Sequence, residues 1–229
     1  SGNIEAVSLE NNHVYDHGAA GYAQTQQTLK DAGIVYSGGG EIGVYEAKGV
    51  QIAMLAYQTF DQYDVLFDQV PKDIAAAKAQ YPMVIVSFHW GSELDYKPND
   101  NQQKLGKIAI DAGADLVIGH HSHRINPIEL YNGKYICYSL GNFSFAGNTK
   151  PSDMSTFIFQ TRFKVKDGIA TPYGFRIIPC RISSRTDYND FAPTPYTSES
   201  SIQSVLSVLA TNGKSLVNPV PSYPLEWEN

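Results

Sequence analysis

The chain has 229 residues, 42% of them hydrophobic and 17% charged, enough apolar material to bury a core and too little charge for a disordered chain. A net charge of −6 argues against a general nucleic-acid or anionic-membrane binder, since phosphate binding wants a basic surface. Two cysteines, Cys137 and Cys180, exclude a disulfide framework and a thiolate metal cluster, leaving two buried thiols or a single bridge.

Apolar runs alternate with helical patterns through the first two-thirds. Residues 4–9 read as a buried strand. Residues 20–32 read as a helix, with Leu29 and Ala32 inward and Gly33 ending it. Residues 50–57 are a second strand. Pro71 is placed to open a short helix over 71–79. A third strand covers 83–88, a helix with Leu105, Ile108, Ala109 and Ala112 inward covers 100–112, and a fourth strand covers 115–118. This alternation predicts βαβ units. Residues 128–131, 135–140, 156–166 and 169–182 are strand-like, with Asn132-Gly133 and Asp167-Gly168 as hairpin turns. They read as an antiparallel meander. A Pro- and Ser-rich segment, a helix over 200–210 and a Pro-rich tail follow. No linker is evident, so 1–229 reads as one α/β domain, with 186–229 packing a helix and tail on it.

The polar residues are placed unevenly. All six histidines lie at or just beyond the end of a predicted strand. The first strand runs into Glu10-Asn11-Asn12-His13, then Asp16 and His17. The third runs into His89-Trp90-Gly91 with Glu93. The fourth runs into Gly119-His120-His121-Ser122-His123. Residues 135–140 run into Gly141-Asn142. Open α/β sheets form their sites outside the carboxyl ends of the strands, so four segments deliver imidazole and carboxamide groups to one rim. Imidazole is the commonest metal ligand, and with an Asn oxygen it suits Zn, Mn or Fe. Trp90 and Asn142 read equally as packing or bracing residues and as substrate contacts.

These runs, with Ala112-Gly113-Ala114-Asp115 and Tyr138-Ser139-Leu140-Gly141-Asn142-Phe143, resemble the bacterial capsule-synthesis family of CapA-type poly-γ-glutamate biosynthesis proteins, over roughly residues 4 to 146. That family is similar to the calcineurin-like metallophosphatases. The resemblance implies a metallo-dependent phosphatase-like four-layer α-β-β-α sandwich. Carried over by motif, Asn12, His89 and His121 hold one metal and His123 the other. His13 is the general acid, oriented by Asp16. His120 takes the motif's glycine position, so His120 or His121 is the ligand. Asn142, Glu10 and Glu93 are supporting groups, and the two acids are the nearby substitutes for a bridging carboxylate.

The family's opening Gly-Asp strand and Asn-Leu-Glu segment have no counterpart here, which implies an N-terminally truncated domain. The expectation is at most one divalent Mn, Fe or Zn ion in this fragment, two in the full-length domain, and little phosphoester hydrolysis without the absent carboxylates. The resemblance implies a cell-surface role in capsule or poly-γ-glutamate synthesis, export or retention, with the signal or anchor in the absent part. A metal-dependent phosphatase or phosphodiesterase and a non-catalytic binding module are the alternatives. Expected partners are an anionic polymer or phosphoester, other capsule-synthesis proteins, and a second copy through an unpaired sheet edge, but no nucleic acid. Lys104, Lys107 and Arg124 form a candidate basic patch that would offset the acidic surface.

Overall fold

A computed structural model describes residues 4–60 and 62–227. The chain begins with β1 (Ala6–Ser8), α1 (Gly18–Asp31), β2 (Val35–Ser37) and β3 (Gly43–Ala47). The centre comprises β4 (Val50–Gln58), α2 (Tyr63–Lys78), β5 (Met83–His89), α3 (Asp100–Asp111) and β6 (Leu116–His120). There follow β7 (Ile128–Tyr131), β8 (Lys134–Cys137), β9 (Ser155–Lys166), β10 (Ile169–Arg181), β11 (Thr194–Pro195) and α4 (Glu199–Gly213).

The expected α/β sandwich is present. Six strands form one sheet in the order β3-β4-β5-β6-β8-β7. Its inner strands β4, β5, β6 and β8 are parallel, and β3 and β7 pair antiparallel at the edges. One face carries Val84, Val86, Phe88 and Val117 into a core with α2 and α3. The opposite face packs Leu116, Tyr135 and Cys137 against Phe157, Phe175 and Ile177 of the β9–β11 sheet, with Val205 and Leu209 of α4. The tail after α4 runs along the edge of β7 (Leu130 N donates to Asn218 O at 2.9 Å) and then reaches β10 (Ile177 N donates to Pro224 O at 2.9 Å).

Several expectations are corrected. Residues 128–182 are not one meander: β7–β8 joins the six-stranded sheet and β9–β10 a separate one, because β8 enters parallel beside β6 and fixes its hairpin there. Pro71 does not open a helix but lies inside α2. The stripe Leu66, Val70 and Ile74 is buried. At about 1.5–3 kcal/mol for each side chain, it outweighs the roughly 3 kcal/mol cost of an internal proline. The first strand is shorter than 4–9 and only partly buried, pairing among the described residues with β2 alone, and Ile4 is exposed. Helix α1 has no buried residue, and Ala32 is exposed. Strands β2 and β3 escaped the sequence reading because they are short and flanked by glycines. Helix α3 begins as expected, on an Asn99–Gln102 capping box. Cys137 and Cys180 are both buried and free, and burial pushes the Cys180 thiol up to about 11. No helix among the described residues is long and apolar enough to cross a membrane.

Candidate functional site

The carboxyl ends of β1, β5 and β6 meet at one rim. After β1, Asn11 folds the chain back: its Oδ1 accepts from His13 N at 2.8 Å and its Nδ2 donates to Leu9 O at 3.2 Å. The turn sets His13 Nδ1 2.9 Å from Asp16 Oδ2, with both side chains more than half exposed. It also sends Asn12 Oδ1 to within 3.0 Å of His89 Nε2, at the end of β5. The His89 and His121 ring centroids are 4.7 Å apart, and those of His121 and His123 6.2 Å. His123 Nδ1 lies 2.7 Å from Asn142 Oδ1, a contact that orients the ring.

The turn that aims these imidazoles is strained. His121 has φ +100° and His123 φ +54°, conformations that side-chain-bearing residues rarely adopt and that gather at functional sites. Short hydrogen bonds hold the turn in place. Leu94 N donates to Ser122 O at 2.7 Å, Ser122 Oγ donates to Arg124 O at 2.9 Å, and an Arg124 guanidinium nitrogen donates to His123 O at 2.8 Å. Beneath the turn, Trp90 is fully buried, stacked between Phe88 and Tyr138, and donates from its indole to Tyr138 O at 2.8 Å. That bond passes directly over Gly119, where a Cβ would stand 2.1 Å from Tyr138 O and 2.3 Å from Trp90 Nε1. Trp90 is therefore a packing residue, and Asn142 contacts a rim imidazole.

Burial disfavours the charged form of three imidazoles, His89, His120 and His121. His89 is pushed down to about 3 by desolvation first and then by the neighbouring histidines. His121 is lowered by desolvation, against the opposing charge of Glu93. His120 is pushed down to about 4 by burial alone. It lines a cavity of about 270 Å³ between β1 and the large sheet, with Ile85, Ser87 and Ile118. Of the two adjacent histidines, His121 is the one whose ring stands in contact with His89. Glu10 turns away to accept from Gly39 N at 2.5 Å, while Glu93 is exposed and acts on His121 only through its charge.

A divalent ion fits this donor set in part. Asn12 and His89 are separated like two neighbouring ligands on one ion with bonds of about 2.1 Å. His121 Nδ1 is buried with no hydrogen-bond partner. Against this, among the described residues no three His, Cys, Asp or Glu side chains are grouped closely enough to hold a metal.

Two rim residues escaped the sequence reading. Phe60 meets the His121 ring edge-on at 4.5 Å, and Phe145 lies 4.7 Å from His123. Phe60 falls just past the end of β4, so the strand-end rule that found the histidines also points to it. Phe145 is on a loop without such a signal. The suggested basic patch does not form. Lys107 pairs with buried Glu129 at 3.2 Å, Lys104 caps the Phe67 ring, and Arg124 is buried beneath the turn.

Residues 1–146 match the model of the family described as bacterial capsule synthesis protein PGA_cap. The chain is 34% identical over 180 residues to the capsule biosynthesis protein CapA of Bacillus anthracis, covering 68% of this chain and 44% of the relative. It is 33% identical over 205 residues to the PGA biosynthesis protein CapA of Bacillus subtilis, covering 80% and 52%. With a probable polyglutamine synthesis accessory protein of Mycobacterium tuberculosis it shares 31% identity over 165 residues, covering 59% and 43%. The chain thus spans about half the length of the curated relatives it matches. With most of its length matched by the family model, including every rim segment from Asn12 to Asn142, the chain belongs to the bacterial capsule synthesis family.

Proposed function

We propose that this chain serves poly-γ-glutamate capsule biosynthesis at the cell envelope, with the imidazole rim as its working site and other capsule-synthesis proteins as its partners. The observation that carries this reading is the joint one: segments matched by the family model are those that bring Asn12, His89, His121 and His123 together. The test is to remove the gene and measure cell-associated polyglutamate, then restore the gene intact or as His121→Ala. Polymer should fall on removal and return only with the intact gene. Polymer unchanged by removal would sink the capsule role, and full rescue by His121→Ala would sink the rim as its working site.

The exposed His13–Asp16 pair favours a second reading, metal-dependent phosphoester hydrolysis. Asn12, His89 and His121 would hold one Mn, Fe or Zn ion, with His123 facing a second position. When bound, such an ion supplies Lewis acidity to a phosphoryl oxygen. The chain's own contribution is at His13. Asp16 takes a hydrogen bond at Nδ1 and leaves Nε2 directed outward, where a protonated imidazole would give its proton to a leaving oxygen. Phe60 and Phe145 stand against the His121 and His123 rings. In a longer form that carries the family's Gly-Asp and Asn-Leu-Glu segments, bis(p-nitrophenyl) phosphate hydrolysis that needs added Mn²⁺ and is lost in both His13→Ala and His121→Ala is the expected result. Equal rates with and without metal would overturn it.

A further inference from the structure

The chain's negative charge is not spread evenly. Strands β9 and β10 carry Arg162, Lys164, Lys166, Arg176 and Arg181 against one acid, Asp167, at their turn. Side chains alternate along a strand. Phe157 and Phe159 pack toward the large sheet, so Gln160, Arg162, Lys164 and Lys166 face the other way. Arg176 stands opposite Gln160 in register and donates to it from Nε at 2.7 Å, which puts it on that same outer face. Trp227 lies against both guanidiniums, 3.9 Å from Arg162 and 5.3 Å from Arg176. Among the described residues Arg162, Lys164 and Lys166 have no ion pair, and Arg176 has only the exposed Glu226 at 3.4 Å. Elsewhere, Lys78, Lys107 and Lys134 are neutralised by buried Asp115 and Glu129.

We propose that the outer face of the β9–β10 hairpin docks a polycarboxylate chain, poly-γ-glutamate, through Arg162, Lys164, Lys166 and Arg176. Naming that polymer rests on the capsule reading; the charge pattern by itself asks for an extended anion. Alternate residues on a strand recur about every 7 Å, so Arg162, Lys164 and Lys166 form a single file, suited to a flexible chain with one charge per repeat. Each exposed contact is weak, and affinity would come from several engaged at once. Guanidiniums gathered beside Trp227 can make forked contacts with carboxylates. That indole is occupied by arginine, while exposed Tyr173 shares a groove with Arg162 and Trp227, so competition by single-stranded DNA separates a polycarboxylate from a single-stranded nucleic acid. Ser155 O stands beside Gly141, next to Asn142 of the rim, and Arg162 lies seven residues on, about 23 Å along an extended strand, so the docking face is set apart from the imidazole rim.

The test is fluorescence anisotropy of labelled poly-γ-glutamate titrated with the 229-residue protein. A triple variant, Arg162→Glu with Lys164→Glu and Lys166→Glu, and its all-Gln counterpart are compared after thermal melts establish that both fold. The charge-reversed protein should bind at least about tenfold more weakly, the Gln variant should fall between, and about 0.5 M salt should weaken the parent protein. Unchanged binding by the reversed variant overturns the proposal, as does stronger competition by polyphosphate or single-stranded DNA of matched charge. Failure of the capsule reading is distinguishable. If gene removal leaves cell-associated polymer intact while reversal abolishes binding in solution, the capsule role falls and the docking face stands. If removal depletes polymer while reversal leaves binding unchanged, the docking face falls and the capsule role stands.

Discussion

The rim at the ends of β5 and β6 and the β9–β10 hairpin are built on opposite terms. At the rim, backbone geometry dictates residue identity. Position 119 has no room for a Cβ, and residues 121 and 123 hold positive φ, where a side chain is tolerated at a cost. The hairpin asks for far less. Its strands need apolar residues on one face, such as Phe157, Phe175 and Ile177, with Asp167-Gly168 to turn and an irregularity between Pro172 and Phe175 to bend β10. Many sequences satisfy that pattern. The rim therefore carries a recognisable motif, while the hairpin's identity shows only in which charges its free face displays.

The sharpest way to break this contrast is to add one methyl group at the rim. Gly119→Ala must push apart Tyr138 O and the Trp90 indole, and we expect a loss of about 3 kcal/mol or more. Urea denaturation measures the loss, and a red shift in tryptophan emission should accompany it as Trp90 gains water. A midpoint equal to the parent's would mean that the Trp90–Tyr138 bond does not fix the turn. In the hairpin, Ile177→Ala removes a fully buried side chain between the two sheets. It should cost about 2–5 kcal/mol, depending on how far the cavity collapses, with no shift in tryptophan emission. A cost below that range would mean that the hairpin packs more loosely than its burial indicates.

The same contrast explains what was legible in the sequence. The strand-end rule located His89, His121 and His123 because a parallel sheet delivers its carboxyl ends to one side, and alternating apolar runs reveal such strands; Asn12 reaches the same rim from β1, which pairs with β2 outside that sheet. Helix α3 was legible through its cap and stripe. Pro71 misled because proline's cost is local, whereas α2 is held by burial along its whole length. Division of the late strands into two sheets was hidden, since hairpin turns fix which neighbours pair and not which sheet they join. The basic face was hidden for a related reason. Arg162, Lys164 and Lys166 become a file only once the core side of β9 is known, and Arg176 and Trp227 reach it from distant positions.

A smaller effect is expected where the two regions meet. Asn189 is buried and clamps the loop that carries Phe145 and Asn142, donating from Nδ2 to Phe145 O at 3.2 Å and Asn148 O at 3.1 Å. Asn189→Ala frees carbonyls on an exposed loop, where water takes over part of the bonding, so the cost should be about 1–2 kcal/mol. Hydrogen exchange should rise across residues 142–149 while β9 and β10 stay protected. Unaltered exchange in that loop would mean that Asn189 serves the C-terminal segment alone.

The smallest stability effect belongs to a residue with one of the largest proposed functional roles. His13 and Asp16 are more than half exposed and 2.9 Å apart, and exposed pairs of this kind contribute little to folding. His13→Ala should therefore leave the unfolding free energy within about 0.5 kcal/mol of the parent. If His13 is the proton donor, the variant should nevertheless lose metal-dependent phosphodiesterase turnover as His121→Ala does, although His121 is buried and strained and should be costly to replace. A large destabilisation by His13→Ala would reverse that assignment, because it would give the imidazole a structural reason to stand at the rim. Unchanged stability together with lost turnover leaves chemistry as the reason a histidine is held out into solvent on an Asn-braced turn.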